Sequence, residues 1–453
     1  MSECTVQTNY GRIRGTAEEN CIVFKGIPYA KPPIGERRFR APERPEPFDG
    51  IFKADRFPNR CAQRTGDNPY DFYEKEFYTG DEPYQESAVS EDGLYLNIWV
   101  PRGYKGRRLP VLFYIHGGGF GGGTGHEKEF RTDAYAKRDI ILVTINYRLG
   151  VFGYLAHPWL YEEDPRACGN YGTLDQLAAL TWVKENIAAF GGDPLKITIC
   201  GQSAGGMSVH TLLSIREADG YYQRAIIQSA GGYPNDVGIS RDLDNAFSIG
   251  MKVSEYSGAE NLQDLRNLSM DELLDIQVRI IGESIKEGIG LPWTPVTNNH
   301  LLNDSIEGIM ETGQVYPVPT IIGCTRNDIT VTPEESEKDP DEIRIHRSDK
   351  GYSFQREALQ NNPCYVYFFD RSLPGDEQGA FHSCELWYMF GTLKNCWRPM
   401  TEGDYRLSEE MLDCWANFIR TGNPNGEGLP VWDTCRREAP YVRIFDAADP
   451  TSH

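Results

Sequence analysis

"ITICGQSAGGMSVH", residues 197–210, places one serine between two glycines directly after a run rich in β-branched residues. Its first four residues predict a buried strand and residues 204–215 predict a helix, so Ser203 falls in a sharp strand-to-helix turn. Such a turn holds the serine in a strained backbone conformation. A Cβ atom at Gly201 or Gly205 would collide with the adjoining strand or helix, which accounts for both glycines. The stretch therefore predicts a nucleophile elbow that projects the Ser203 hydroxyl group.

Strand-like and helix-like segments alternate along the rest of the chain. Several of the strand-like runs are rich in Val, Ile and Leu without polar alternation, as strands covered on both faces are. They span residues 110–115, 140–145, 197–200, 224–228, 319–323 and 365–369. We predict an α/β fold with a mostly parallel central sheet, helices on both faces and insertions around the active site. The site is expected beyond the carboxyl ends of the strands.

A long helix is predicted before the elbow, within residues 171–192. Apolar and small residues recur there at the spacing of one helix face, which we expect to be buried. This face comprises Leu174, Leu177, Ala178 and Thr181. Gly191 and Gly192 are expected to end the helix.

Length, composition and charge set the broad class. The 453 residues, 40% hydrophobic and 25% charged, are typical of a globular protein, and we expect one domain over residues 1–453. The apolar runs are too short to span a bilayer, and no signal peptide is visible, so a cytoplasmic location is expected. The net charge of −20, without a basic stripe, argues against nucleic acid and membranes as partners. It also disfavours highly anionic substrates.

The eleven cysteines are scattered without the spacing of metal ligands. No Cys-x-x-Cys or His-x-x-x-His pair occurs, so no metal site is expected. Most of the thiols are expected to be reduced and partly buried.

A glycine-rich segment, "YIHGGGFGGGTG" at residues 114–125, follows one of the predicted strands. It lacks the Lys-Ser/Thr ending of a phosphate-binding P-loop, so nucleotide binding is disfavoured. Because it follows a strand that precedes the elbow, we interpret it as an oxyanion loop.

Several of these segments together resemble the type-B carboxylesterases, which are α/β-hydrolases. "FGGDPLKITICGQSAGG" at residues 190–206 resembles the active-site signature of this family, and "EDGLYLNIWVP" at residues 91–101 resembles its second signature. Further similar segments begin at Phe24, His116, Asn146 and Trp415. The resemblance covers nearly the whole chain. It implies hydrolysis of small-molecule carboxylic esters through an acyl-enzyme, with no metal or other cofactor.

The resemblance also implies which residues complete a catalytic triad with Ser203. His382, in "GAFHSCELWYMFGTL", matches the catalytic-histidine loop and would act as the general base. Asp328, in "IIGCTRNDIT", stands where the family has a glutamate, and the chain order serine–acid–histidine fits. Aspartate is one methylene shorter, so its loop is expected to lie closer to His382. Glu334 and Glu335 remain alternatives for the acid.

Four further positions receive roles from the resemblance. The amide groups of Gly118, Gly119 and Ala204 would donate hydrogen bonds to the oxyanion of the tetrahedral intermediate. Ser229 matches a second serine behind the triad, which would either bond the acid or be satisfied by the backbone.

Two departures from the family pattern carry information. Gly93 stands where secreted relatives have a cysteine, whose partner would match Cys61, so that disulfide cannot form and a reducing compartment is favoured. Asp328 and His382 are only 54 residues apart. This spacing indicates a segment shortened between about residues 330 and 363, and hence a more open mouth that admits bulky or varied esters.

Other functions use the same fold. Some relatives that have lost the serine act in adhesion, but the presence of both Ser203 and His382 favours an enzyme. An acyltransferase or a peptidase would use the same triad and remains open.

Overall fold

A ten-stranded sheet forms the centre of the molecule. The computed structural model describes residues 4–64, 76, 87–230, 240–329, 362–436 and 439–447. Within these ranges the strands are β1 (Thr5–Thr8), β2 (Gly11–Arg14), β3 (Thr16–Ala17), β4 (Cys21–Pro28), β5 (Ile51–Lys53), β6 (Arg60–Cys61), β7 (Val89–Ser90), β8 (Tyr95–Pro101), β9 (Leu109–Ile115), β10 (Ile141–Ile145), β11 (Gly192–Gln202), β12 (Arg224–Gln228), β13 (Arg241–Asp242), β14 (Val296–Thr297), β15 (Thr320–Thr325), β16 (Cys364–Phe369) and β17 (Val442–Phe445).

The α-helices of the described residues are α1 (Gly150–Tyr154), α2 (Pro158–Glu163), α3 (Tyr171–Asn186), α4 (Ala204–Ser214), α5 (Leu243–Ser257), α6 (Leu262–Asn267), α7 (Met270–Glu287), α8 (Ile306–Glu311), α9 (Leu386–Met389) and α10 (Glu402–Thr421). Short 3₁₀ helices occupy Gly35–Arg37, Lys128–Phe130, Ala136–Arg138, Ile187–Phe190, Arg216–Ala218 and Leu393–Asn395.

The strand order of the large sheet is β17-β16-β15-β12-β11-β9-β10-β8-β4-β3. All neighbours from β17 to β10 run parallel, whereas β8 pairs antiparallel with both β10 and β4. Smaller sheets are formed by β1-β2-β5, by β6-β7 and by β13-β14. The predicted α/β fold with a mostly parallel sheet is therefore confirmed.

Two apolar cores cover the two faces of this sheet. Alternate residues of β9 point into different cores, because successive side chains of a strand face opposite sides. Phe113 belongs to the core that includes side chains of α3 and α4, whereas Tyr114 belongs to the core that includes side chains of α10. Helices thus lie on both faces, which is why the central strands are apolar throughout.

The prediction for the helix before the elbow was partly wrong. Leu174 and Leu177 are buried, but Ala178 and Thr181 are only partly buried, and α3 ends at Asn186. Most side chains around α3 are buried, so its sequence has no single apolar stripe from which a face could be assigned. A 3₁₀ turn follows, and Gly191 ends it in the left-handed conformation, with a φ of 78°.

Four connections leave the carboxyl ends of parallel strands at one edge of the sheet. The glycine-rich segment follows β9, the serine turn follows β11, and residues 326–329 follow β15. His382 lies in the connection that leaves β16. The topology therefore brings the sequence-predicted site residues to a single edge.

Candidate active site

The serine turn has the strained geometry that its sequence predicts. Ser203 lies between β11 and α4 with a φ of 56° and a ψ of −126°. Its amide group donates a hydrogen bond to the carbonyl oxygen of Gln228, 2.8 Å away, which ties the turn to β12. A Cβ atom on Gly201 would lie 2.8 Å from the Gly206 nitrogen, and one on Gly205 would lie 2.8 Å from the His116 carbonyl oxygen. Neither position has room for a side chain.

The glycine-rich loop lies beside this serine. A Cβ atom on Gly117 would be only 3.1 Å from the Cβ atom of Ser203. Gly118 and Gly119 have φ values of 100° and 58°. The loop is closed by hydrogen bonds from the amides of Gly121 and Gly122 to the Gly118 carbonyl oxygen. Among the described residues, no oxygen accepts a hydrogen bond from the amide of Gly118 or Gly119. Both N–H groups are therefore available to a ligand.

Ala204 supplies a third amide group at the same edge. It is the first residue of α4, and amides in the first turn of a helix have no acceptor within the helix. The dipole of α4 adds partial positive charge at this end. The structure thus brings all three predicted oxyanion donors to the neighbourhood of Ser203.

His382 and Asp328 form a buried hydrogen-bonded pair. The Nδ1 atom of His382 donates to Oδ1 of Asp328 at 2.7 Å, and the two residues are only 6% and 8% exposed. The same carboxylate accepts hydrogen bonds from the Ile329 amide at 2.8 Å and from the Thr325 amide and hydroxyl groups at 3.3 Å each. These four donors hold the carboxylate in one orientation toward the imidazole.

Asn327 joins the loop of the acid to the loop of the histidine. Its amide donates to the carbonyl oxygen of Ala380 at 2.9 Å, and the Ala380 amide donates back to Asn327 Oδ1 at 2.9 Å. Asn327 also forms an isolated parallel bridge with Phe381. The two loops therefore lie side by side, as a short aspartate side chain requires.

The other imidazole nitrogen faces the serine turn. With its proton on Nδ1, His382 accepts a hydrogen bond at Nε2 from the side-chain amide of Gln202, 3.2 Å away. Gln202 directly precedes Ser203 in the chain. Burial lowers the pKa of His382, but the charge of Asp328, the hydrogen bond to it and the charge of Glu385 together raise it above its ordinary value.

His116, His126 and His210 are buried and, among the described residues, lack the carboxylate partner that a catalytic base needs. The ring of His116 stacks on Tyr147 with centroids 4.6 Å apart, and His126 contacts the hydroxyl groups of Thr124 and Ser87. Burial lowers the pKa of His116 and of His210 to about 4, and burial followed by nearby cations lowers that of His126 to about 3. None of them is paired with a carboxylate.

The expectation for Ser229 was wrong within the described residues, and the alternative acids remain predictions. Neither bond expected for the Ser229 hydroxyl group is seen, because its Oγ atom is buried without a hydrogen-bond partner among the described residues. Its backbone is strained, with a φ of 47°, and its amide donates to the Gly323 carbonyl oxygen at 2.8 Å. The alternative acids, Glu334 and Glu335, lie outside the described residues, as does most of the segment predicted to be shortened.

Three side chains near the predicted triad residues were not identified from the sequence. Gln202 stands inside the quoted serine turn, Asn327 directly precedes the acid, and Glu385 follows His382 by three residues. Their positions next to candidate residues were the available signal. Their partners lie in distant parts of the sequence, so contact with the triad could be recognised only in three dimensions.

The described residues contain no group of three or more His, Cys, Asp or Glu side chains arranged to hold a metal ion. None of the described helices combines the length and the apolar character that a bilayer crossing requires.

This fold has a strained serine directly after Gln202, whose side chain contacts the histidine of a buried histidine–carboxylate pair, and it defines an α/β-hydrolase. The sequence model of the carboxylesterase family matches residues 2–360 and 350–451, and the chain therefore belongs to that family. It acts as a carboxylic ester hydrolase.

Relatives of known identity agree over nearly the full length. The chain is 34% identical to the para-nitrobenzyl esterase of Bacillus subtilis, over 99% of this chain and 96% of that protein. It is 29% identical to human cocaine esterase, over 96% of this chain and 87% of that protein.

Solved structures give the same result. A thermophilic PNB esterase has a TM-score of 0.84 at 30% identity, covering 100% of this chain and 99% of that chain. The carboxylesterase Est55 of Geobacillus stearothermophilus has a TM-score of 0.79 at 33% identity, covering 98% of this chain and 96% of that chain.

Proposed function

We propose that this carboxylesterase uses Ser203 as nucleophile, His382 as general base and Asp328 as the acid that orients the imidazole. The observation that carries the proposal is the 2.7 Å hydrogen bond from His382 Nδ1 to Asp328, together with the 3.2 Å contact of His382 Nε2 with Gln202. The first contact fixes the tautomer, and the second places Nε2, the nitrogen that would take the serine proton, beside the serine turn.

Catalysis then follows from these positions. Ser203 Oγ attacks the ester carbonyl carbon while His382 Nε2 takes its proton. The imidazolium is stabilised by Asp328 and next protonates the oxygen of the leaving alcohol. A water molecule hydrolyses the acyl-enzyme by the same two steps.

The amides of Gly118, Gly119 and Ala204 are proposed to hold the oxyanion. They are fixed before the substrate arrives, by positive φ values in the loop and by the start of α4. Preorganised donors of this kind need no rearrangement during the reaction, and each is typically worth about 10²–10³-fold in rate.

We propose a substrate range that includes bulky, uncharged esters. Support comes from the short spacing between acid and histidine and from the alignment with the Bacillus subtilis relative, which runs over 493 positions against 453 residues here. That relative therefore has extra residues within the aligned region. The net charge of −20 disfavours anionic esters.

We propose that the chain is a single domain that works in the cytoplasm. The single-domain proposal is supported by one ten-stranded sheet that includes β3 near the start of the chain and β17 near its end. The location is supported by Cys21, Cys61, Cys168, Cys200, Cys384 and Cys414, which are buried and form no disulfide. A Cβ atom on Gly93 would lie 2.7 Å from Cys61 Sγ, so a disulfide partner for Cys61 is missing at the facing position.

Hydrolysis of p-nitrophenyl acetate and butyrate by wild type, Ser203→Ala and Ser214→Ala tests the triad proposal. Ser214 is a matched control because it is buried on the same helix and its Oγ atom donates only to the His210 carbonyl oxygen. We expect loss of activity by about 10⁵–10⁶-fold in Ser203→Ala and normal activity in the control. A fluorophosphonate should label Ser203 in wild type. Esterase activity retained in Ser203→Ala would contradict the assignment, and product analysis with an added alcohol separates hydrolysis from acyl transfer.

A further inference from the structure

A second carboxyl group lies behind the proposed base. Glu385 follows His382 by three residues at the start of α9, and its side chain is completely buried. Its Oε1 atom accepts hydrogen bonds from the hydroxyl group of Tyr367 and the side-chain amide of Gln228, both at 3.4 Å. Within the described residues its Oε2 atom has no hydrogen-bond partner. This carboxyl group is therefore held in place but weakly solvated.

The two donors fix Glu385 to two strands of the sheet, one of which also holds the serine turn. Tyr367 belongs to β16 and Gln228 to β12. The carbonyl oxygen of Gln228 accepts the hydrogen bond of the Ser203 amide at 2.8 Å, and its side-chain oxygen accepts from the Cys200 thiol at 3.5 Å. A change of charge on Glu385 therefore occurs in a rigid, water-poor region directly behind the proposed triad.

Glu385 and His382 act on each other electrostatically. Burial, followed by the charge of Asp328, raises the pKa of Glu385 to about 7, and the charge of His382 opposes this shift. Glu385 in turn raises the pKa of His382. The titratable groups that face Glu385 from the surrounding elements are Asp328, His382, Tyr367, Cys200, Cys384 and Tyr114. Burial raises the pKa of both thiols and of Tyr114, and the Tyr367 hydroxyl group donates its proton in a hydrogen bond to Glu385, so the charged groups that act on Glu385 are Asp328 and the imidazole.

We infer that Glu385 is a positioning residue for ester hydrolysis, whose negative charge stabilises the imidazolium form of His382. This inference rests on the proposed function. The proton leaves Ser203 Oγ for His382 Nε2 as the bond from Oγ to the acyl carbon forms. It passes to the alcohol oxygen as the ester C–O bond breaks. Glu385 neither gives nor takes a proton in these steps, and it lowers the barrier only while it is ionised.

The inference is tested by the pH dependence of kcat/KM for p-nitrophenyl butyrate in wild type and Glu385→Gln. At pH 8.5 the wild type carries the charge and Glu385→Gln does not, so we expect the variant to be about threefold to tenfold slower. Below about pH 5.5 the wild-type carboxyl group is neutral, and the two rates should converge. The acid limb of Glu385→Gln, scaled to its own plateau, should lie at lower pH because His382 has lost the anion that raises its pKa.

Two further variants keep the test decisive. Tyr367→Phe removes a hydrogen bond that lowers the pKa of Glu385, so Glu385 should ionise at higher pH in this variant. The variant should therefore reach its full rate only at higher pH than wild type does. Glu385→Gln is expected to shift the acid limb in the opposite direction. Glu129→Gln is the control for the loss of a buried carboxyl group, because the charged neighbours of Glu129 are Glu127 and Lys128. Its rate should follow wild type at every pH. If Glu385→Gln does not fold, Tyr367→Phe alone still decides the question.

A rate ratio between wild type and Glu385→Gln that stays constant from pH 5 to pH 9 would overturn the inference, because a purely structural defect has no pH signature. An unshifted profile of Tyr367→Phe would also contradict it. Failure of the proposed function gives a different result, namely an inactive wild type or an active Ser203→Ala.

Discussion

The aspartate at position 328 reaches the imidazole because of its neighbour. Asn327 bonds twice to Ala380 and so brings the acid loop beside the histidine loop. The shorter side chain thus needs no movement of the histidine to form a 2.7 Å hydrogen bond. The hydrogen bond between Asp328 and His382 therefore depends on the pairing of the two loops that follow β15 and β16.

Asp328→Asn should lower kcat by about 10⁴-fold with little change in KM. An amide in place of the carboxylate neither selects the Nδ1–H tautomer nor stabilises the imidazolium. Turnover of p-nitrophenyl acetate measures the effect, with circular dichroism to verify the fold. Glu334→Gln and Glu335→Gln serve as controls that should remain active. An unimpaired Asp328→Asn would place the acid elsewhere.

The sequence predicted individual reactive side chains but not the buried polar groups that contact them. Ser203 was predicted from its flanking glycines, because a tight turn leaves a local signature in the sequence. Glu385 had no such signature, since its bonding partners Gln228 and Tyr367 lie on different strands of the sheet. Burial of a charged group depends on the whole fold and cannot be read from its neighbours in the chain.

Among the elements, α4 packs closely against the sheet, whereas α7 has an open surface. Gly205, in the first turn of α4, lies against the carbonyl oxygens of Ile115 and His116 at the end of β9. Gly282, inside α7, has no other heavy atom near the position of an added Cβ atom. Close packing therefore requires a glycine at position 205. The structure gives no reason for the glycine at position 282.

Opposite changes in stability are expected when each of these glycines becomes alanine. Gly205→Ala should lower the free energy of unfolding by about 2–3 kcal/mol, because its methyl group meets backbone atoms that cannot move easily. Gly282→Ala should raise it by about 0.5–1 kcal/mol through higher helix propensity. Urea denaturation followed by circular dichroism measures both changes. Similar effects of the two substitutions would contradict the difference in packing.

The antiparallel strands were harder to predict than the parallel ones. β4 contains Lys25 and Gly26, where the pairing with β8 shifts register and Gly26 adopts a φ of 72°. The Gly26 amide donates to the side chain of Asn97, a fully buried polar residue within β8. These polar and irregular positions interrupt the apolar runs that identified the parallel strands. Their stabilising contacts are cross-strand and therefore invisible in a single segment.

Over the whole molecule, the acidic excess is expected to repel anionic ligands. With a net charge of −20, an anionic ester should be hydrolysed with a kcat/KM several-fold below that of a neutral ester of similar size. p-Nitrophenyl hemisuccinate and p-nitrophenyl valerate form a suitable pair at about 10 mM ionic strength. The difference should narrow at about 0.5 M salt, where charges are screened beyond a few ångströms. Equal rates at low salt, or a strong salt dependence for the neutral ester, would count against this expectation.

The pairing of β15 with β16 has a consequence for how the enzyme can change. Six consecutive parallel pairs, from Thr320–Cys364 to Thr325–Phe369, fix both ends of the chain between these strands, and Asp328 leaves directly from the first end. Residues can be added to or removed from the intervening connection without altering that register. We therefore expect that the part of this connection beyond Asp328 can be exchanged between relatives, as an interchangeable cassette, to alter ester preference while Asp328 and its contact with His382 are kept.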